Sequence, residues 1–265
     1  MKLIRYKAEG FVQYGVVEGD YVKVISGCIF DQYTITSQTY SVTDIEILAP
    51  VQPTNLIAVG KSYRNHIDEM AARHGSAPDY PIKPIIFFEA PGSVTPAGAP
   101  IILPDKTTCP HVDLEGELAI VIGKRARNIT VDQALEYVLG YTIVNDVSAR
   151  GLKDIGGLWG IGLSKSLDTF TPMGPVIETE IEDPNRLQLV TRVNGVVTQD
   201  TNTSDMLFTV QEYVSYCSSR FTLLPGDVIM TGTPAGVRPI DNGDVVEISI
   251  EEIGTLKNPV IREDL

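Results

Sequence analysis

The sequence is poor in the residues that mark several common protein classes. It has three cysteines, Cys28, Cys109 and Cys217, an odd number and widely scattered. That pattern excludes a disulfide framework and a zinc knuckle, and it suits a reducing compartment. The three histidines, His66, His74 and His111, form no H-E-x-x-H pair, so the zinc-protease arrangement is excluded. No apolar run approaches the roughly 20 residues of a bilayer span, so no membrane partner is expected. The opening Met1-Lys2-Leu3-Ile4-Arg5 carries charge too early for a secretory signal. The expected location is cytoplasmic, or organellar after processing. Basic residues are outnumbered, 21 Lys and Arg against 34 Asp and Glu, for a net charge of −13. A field of that sign repels nucleic acid, and no basic run compensates. Three motifs are also missing: the G-x-S-x-G elbow of α/β-hydrolases, the strand–G-x-G-x-x-G–helix unit of dinucleotide binders, and the G-x-x-x-x-G-K-[ST] phosphate loop.

What is present is a chain of 265 residues, 43% of them hydrophobic, enough for one sizeable core with a smaller appended domain. Residues 1–52 read as a small β-rich N-terminal domain: Phe11 to Val17, a Glu18-Gly19-Asp20 turn, then Tyr21 to Ile25. Ala49-Pro50-Val51-Gln52-Pro53 is the link. Beyond it, Asn55 to Val59 suits a buried strand, and Ser62 to His74 a helix closed by Gly75. Capping boxes open two more helices, Thr130 with Gln133 through about Leu139, stopped by Gly140, and Thr209 with Glu212 through about Arg220. Leu187 to Val193, the Asn194-Gly195 hairpin signal, Val196 to Thr198, Val228 to Met230 and Val245 to Ile250 read as strand and turn. The expected class is mainly β with a few helices.

The most informative stretch runs from His111 to Gly123. On one strand Asp113, Glu115 and Glu117 share a face, and Leu118 to Ile122 is apolar on both faces. Carboxylates entering a buried strand are costly unless paired, protonated or bound to metal. Asp146 ends a second apolar run that begins at Tyr141. Two carboxylates at i and i+2 with a third from a neighbouring strand end can converge on one hard cation, and oxygen-only ligation fits Mg²⁺ or Mn²⁺ rather than zinc. The bland alternative is a solvent-facing acidic edge with an unrelated aspartate, and spacing alone does not choose.

His66 and Glu69 are neighbours on one face of the expected helix, an arrangement that makes the imidazole a better base and also an ordinary surface pair. Lys165 follows a glycine-rich stretch that holds the only tryptophan, Trp159. Thr231-Gly232-Thr233-Pro234 after the strand at Met230 can present amides and hydroxyls to an anion, or be simply a turn. An anionic substrate could enter this acidic protein only where local cations, a bound metal or several Lys and Arg, reverse the potential.

Taken together these segments resemble the fumarylacetoacetate hydrolase family. The resemblance runs from about Asn55 to Val237 and rests on order: Gly60 to Met70, Asp113-x-Glu115-x-Glu117-Leu118-Ala119, Gly140-Tyr141-Thr142 with Asn145 to Arg150, Lys165-Ser166-x-Asp168-Thr169-Phe170 with Met173-Gly174-Pro175, and Leu224 to Asp227 with Thr231 to Val237. It implies a mixed-sheet catalytic domain over residues 53–265 and a homodimer or higher homo-oligomer. It also implies Mg²⁺ or Mn²⁺ at Glu115, Glu117 and Asp146. By the same resemblance His66 and Glu69 match a water-activating pair. Lys61, Lys165 and Thr233 match positions that contact the carboxylate and oxo oxygens of a small anionic oxo acid. The chain departs from the pattern at Glu89, where many relatives carry Lys, at Gly151, where many carry Asp, and near Lys153, where many carry Gln.

The expected reaction is hydrolysis of a carbon–carbon bond in an acylpyruvate-like 2,4-dioxo acid through a metal-stabilised enolate. The same site could decarboxylate a 2-oxo diacid or ketonise a 2-hydroxy-diene diacid. A non-catalytic protein that keeps the fold is the reading from another class.

Overall fold

The computed structural model describes residues 1–152 and 160–263. Lys153 and Trp159 lie outside them. The fold is mainly β, as the alternating and doubly apolar segments predict. A 12-stranded sheet carries the path Tyr33–Ser41, Tyr21–Gly27, Phe11–Glu18, Lys2–Ala8, Thr171–Glu178, Val138–Asn145, Gly116–Ile122, Val228–Met230, Leu56–Gly60, Ile85–Glu89. A five-stranded sheet packs beside it in the order Val196–Asn202, Gln188–Val193, Val245–Ile250, Gly254–Arg262, Ile101–Leu103. The N-terminal meander joins the large sheet directly, through Lys2 opposite Glu178 and Leu3 opposite Ile177.

The strand Gly116–Ile122 is buried along its whole length. It pairs antiparallel with Val138–Asn145 on one side and Val228–Met230 on the other. Leu118, Ile120 and Ile122 enter one core cluster, while Ala119 and Val121 enter a second with Leu56, Ala58, Val144 and Met230. Each Leu, Ile or Val among these contributes about 1.5–3 kcal/mol by burial, so whatever this strand carries sits on a firmly packed element.

Several local readings hold. The helix α1 (Arg64–His74) ends at Gly75, whose left-handed φ of 64° closes it. The helix Val210–Arg220 opens on the Thr209–Glu212 capping box. Asn194 and Gly195 both have positive φ, as a tight hairpin turn requires.

Two readings are corrected. The Thr130–Gln133 capping box opens a 3₁₀ helix that ends at Tyr137, and Val138 already begins a strand. Gly140 therefore stops no helix: a Cβ there would lie 2.4 Å from the Glu178 carbonyl oxygen, so glycine permits close strand approach. The acidic stretch is likewise two strands, His111–Asp113 and Gly116–Ile122, rather than one. Leu114 N–H donates to the Arg238 carbonyl and Glu115 N–H to the Asn145 side chain, which turns the chain between them.

Candidate active site

Glu115 precedes the buried strand, Glu117 is its second residue, and Asp146 follows the end of the neighbouring strand. Gly116 between the two glutamates is dictated by the second sheet: a Cβ there would be 2.4 Å from Thr191 Oγ1. The backbone locks the third acid to the first, with Asp146 N–H donating to the Glu115 carbonyl at 2.8 Å. One carboxylate oxygen from each of Glu115, Glu117 and Asp146 lies within 4.8 Å of the others, and all three residues are buried. Asp113 is not in this group; its carboxylate accepts from Arg150 Nε at 3.1 Å.

Lys165 lies at the centre. Its Nζ donates to Glu115 Oε2 at 2.7 Å and to Asp146 Oδ2 at 2.5 Å. Arg150 takes the other Glu115 oxygen, and the Gly232 N–H donates to Glu117 Oε2 at 2.7 Å. The Asp146 Oδ1 atom is buried with no hydrogen-bond partner among the described residues. These carboxylates compete for too little positive charge. Burial, then Asp146, pushes the Glu117 carboxyl well above its usual range; burial, then Lys165 opposing it, leaves Asp146 raised to about 6. The oxygen-only donors, the unpartnered Asp146 oxygen and an ammonium already between two of the acids fit a hard divalent cation such as Mg²⁺ or Mn²⁺.

The acids floor a cleft of about 420 Å³ lined also by Lys61, His66, Arg73, Arg150, Lys165 and Thr233. Met70, Ile85, Phe87, Ile161 and Val237 supply apolar walls. The helix α1 is docked over it by its own side chains: Ala235 N–H donates to Asn65 Oδ1 at 3.0 Å, and Gly236 N–H to Glu69 Oε2 at 3.1 Å. His66 Nδ1 is 4.0 Å from Glu69 Oε2, too long for a hydrogen bond, while Arg73 holds the other Glu69 oxygen at 2.7 Å. Burial lowers the His66 pKa against the opposing pull of Glu115 and Glu69, so the ring is uncharged near neutral pH.

The cleft thus brings together the residues singled out in the sequence. Lys61 is at its rim, paired with Asp79 at 3.0 Å. Thr233 is buried, with its hydroxyl donating to the Gly116 carbonyl and accepting from Gln199 Nε2. Three participants carried no assigned role in the sequence reading. Arg73 was legible by its i+4 spacing from Glu69, whereas no local pattern tied Arg150 to the acids. Glu89, noted only as a departure, is buried, and burial with the Asp146 charge raises its pKa well above the usual range. No helix among the described residues is long and apolar enough to cross a membrane.

Comparison with known proteins identifies the family. Residues 55–261 match the family model for the fumarylacetoacetate (FAA) hydrolase C-terminal domain, and residues 1–50 match an Rv2993c-like N-terminal model. Oxaloacetate tautomerase YisK of Bacillus subtilis is 41% identical over 232 residues, covering 83% of this chain and 75% of that protein. The crystal structure of a 2-hydroxyhepta-2,4-diene-1,7-dioate isomerase from Mycobacterium marinum superposes with a TM-score of 0.89 at 39% identity, covering 100% of both chains. Maleylpyruvate hydrolase from Sphingobium sp. SYK-6, solved with manganese(II) and pyruvate, gives a TM-score of 0.79 at 25% identity, again covering 100% of both. On the family match, the relatives and the fold, the chain belongs to the fumarylacetoacetate hydrolase family.

Proposed function

We propose that the protein is a divalent-cation-dependent enzyme that interconverts the enol and keto forms of a small 2-oxo dicarboxylic acid, similar to oxaloacetate in size and charge. The observation that carries this reading is the convergence of Glu115, Glu117 and Asp146 beneath a cleft whose other polar walls include the uncharged His66 imidazole and the cations of Lys61, Arg73, Arg150 and Lys165. The names of the two relatives of higher identity, an oxaloacetate tautomerase at 41% and a dioate isomerase at 39%, support the substrate class and proton transfer.

A divalent cation held by Glu115, Glu117 and Asp146 supplies Lewis acidity toward the oxygens of a 2-oxo acid. His66, uncharged because it is buried, carries the proton between the carbon beside the oxo group and the enol oxygen, taking it from one and delivering it to the other. Glu69, pinned by Arg73 and the Gly236 amide, orients the ring by charge from 4.0 Å. Lys165 and Arg150 offset the net charge of −13 where the substrate's carboxylates enter. The apolar wall of Met70, Phe87, Ile161 and Val237 limits water, which keeps proton transfer from becoming hydrolysis.

A second reading, carbon–carbon bond hydrolysis of an acylpyruvate, is favoured by the proximity of His66 and Glu69, a pair that can activate a water, and by the name of the similar maleylpyruvate hydrolase. The two separate by product. With Mn²⁺, the tautomerase predicts loss of the enol absorbance of enol-oxaloacetate with no change of mass. Hydrolysis predicts pyruvate and a carboxylic acid from an acylpyruvate, and decarboxylation predicts pyruvate and carbon dioxide from oxaloacetate. Pyruvate appearing at the full rate of enol loss would overturn the tautomerase reading.

A further inference from the structure

Gln199 lies on Val196–Asn202, the end strand of the five-stranded sheet, and only 1% of it is exposed. Its side chain nonetheless reaches the back of the cleft. The amide oxygen accepts from Gly116 N–H at 3.1 Å. The amide nitrogen donates to the Pro234 carbonyl at 3.0 Å and to Thr233 Oγ1 at 2.8 Å. Two of those partners fix which end of the amide is which. A backbone N–H can only donate and a carbonyl can only accept, so the oxygen must face Gly116 and the nitrogen Pro234. The second hydrogen on that nitrogen then has Thr233 Oγ1 as its acceptor.

The consequence falls on Thr233, which lines the cleft. Gln199 takes one lone pair of its hydroxyl, so the single hydroxyl hydrogen must point elsewhere. In this structure it goes to the Gly116 carbonyl at 3.1 Å. That is long for an O–H donor, whose usual distance is about 2.7–2.8 Å, and both groups are neutral. An anionic oxygen entering the cleft offers a charge-assisted bond, roughly twice as strong as a neutral one. The loop itself is held in place. Gly236 is pressed so closely on the Gln199 strand that a Cβ would lie 1.9 Å from the Thr198 carbonyl oxygen, and Ala235 N–H is bonded to Asn65. The hydroxyl can therefore change its acceptor by rotation alone.

We propose that Gln199 is a positioning residue for the substrate: by occupying an acceptor site on Thr233 Oγ1, it makes the Thr233 hydroxyl an obligate donor to a substrate carboxylate. The five-stranded sheet thereby takes part in recognition, although none of its strands lines the cleft among the described residues. This rests on the reading of the cleft as the site of a small 2-oxo dicarboxylic acid.

The test is a double-mutant cycle read as oxalate affinity, by calorimetry, in full-length protein at saturating Mn²⁺. Oxalate is a dianion that accepts hydrogen bonds, donates none and does not tautomerise. Thr233→Val is expected to weaken it roughly 10–100-fold, the loss of one hydrogen bond to a charged group. Gln199→Met is expected to cost about tenfold with Thr233 in place and less than about twofold in the Thr233→Val background. Equal loss in both backgrounds overturns the proposal, because a glutamine that only braces the fold does not depend on the hydroxyl. Unchanged affinity in Gln199→Met, or in Thr233→Val, contradicts it as well. Gln199→Glu keeps the acceptor for Gly116 N–H and offers Thr233 an acceptor in place of a donor, so it serves where the apolar variant does not fold. Its loss must also shrink by at least about threefold in Thr233→Val, and a loss that does not shrink refutes the proposal. A wild type that binds no oxalate at any Mn²⁺ concentration overturns the reading of the cleft itself, and the proposal with it.

Discussion

The Lys165 ammonium and the Asp146 carboxylate meet at 2.5 Å with both side chains almost wholly out of solvent. The same nitrogen lies 2.7 Å from Glu115. Charges so deeply buried repay their lost hydration only through close, multiple contacts, and one lysine does this for two of the three converging acids. Asp146 Oδ1 keeps no hydrogen-bond partner among the described residues, so the lysine leaves part of the acidic cluster unmet.

Replacing that lysine should expose the arrangement. Lys165→Met leaves Glu115 and Asp146 facing one another without Lys165 between them, a loss of about 3–5 kcal/mol for breaking a buried pair. Thermal denaturation in EDTA should show a markedly lower Tm, and Mn²⁺ should restore most of the difference. An equal drop with and without Mn²⁺ would mean that the lysine and the ion do not share a place.

Cation binding should be pH-dependent, with a fixed sign. The Glu117 carboxyl is well above its usual range through burial and the Asp146 charge, and Asp146 is raised to about 6. Raised groups hold protons as pH falls, and a cation binds only the deprotonated form, so affinity must fall toward acid. Calorimetry at about pH 6 in two buffers of different ionisation enthalpy should show protons released on Mn²⁺ binding. A buffer-independent heat would contradict this.

Asp227 offers a prediction about the frame rather than the site. It is fully buried, and its carboxylate accepts from Asn55 N–H and Nδ2 at 2.9 Å each and from Leu224 N–H at 2.8 Å. Those bonds fasten the turn before Val228–Met230 to the start of Leu56–Gly60, two strands paired in parallel. Asp227→Ala should cost about 3 kcal/mol in urea unfolding, since three donors lose a charged acceptor. A loss below about 1 kcal/mol would show that water replaces it at little cost.

A homodimer is expected from the exposed apolar side chains near one sheet edge. Ile85 and Phe88 on the strand Ile85–Glu89, with Ile82, Ile161 and Leu163, are all exposed, Ile82 at 90%. An unpaired apolar edge is a liability that assembly removes. Sedimentation should give twice the 28.9 kDa of one chain. A species of one chain's mass alone at micromolar concentration would refute the dimer.

The parts of this molecule that local chemistry decides were legible in the sequence. The doubly apolar run at Leu118 to Ile122 marked the central strand, and the Thr209–Glu212 box marked its helix to the residue. Where tertiary contacts decide, the sequence misled. Gly140 looked like a helix stop and is a place where strands touch, and the break between Asp113 and Gly116 depends on the distant Arg238 carbonyl and on Asn145. The acids of the site were visible because two stand two residues apart at the start of one strand. Lys165 reaches Glu115 across 50 residues of sequence, and no local pattern announces such a contact. Family order brought Lys165 forward, and only the fold shows that Glu89 is buried.

The central claim is that chemistry here depends on a cation held by Glu115, Glu117 and Asp146. Its most direct test is the rate of enol-oxaloacetate ketonisation by EDTA-stripped protein, before and after Mn²⁺, in wild type and in Glu117→Gln. The account predicts loss of the enzymatic rate on stripping, recovery in wild type, and no recovery in the variant at the same Mn²⁺ concentration. A stripped wild-type protein that keeps its full rate, or a Glu117→Gln protein that recovers as well as wild type, would contradict it.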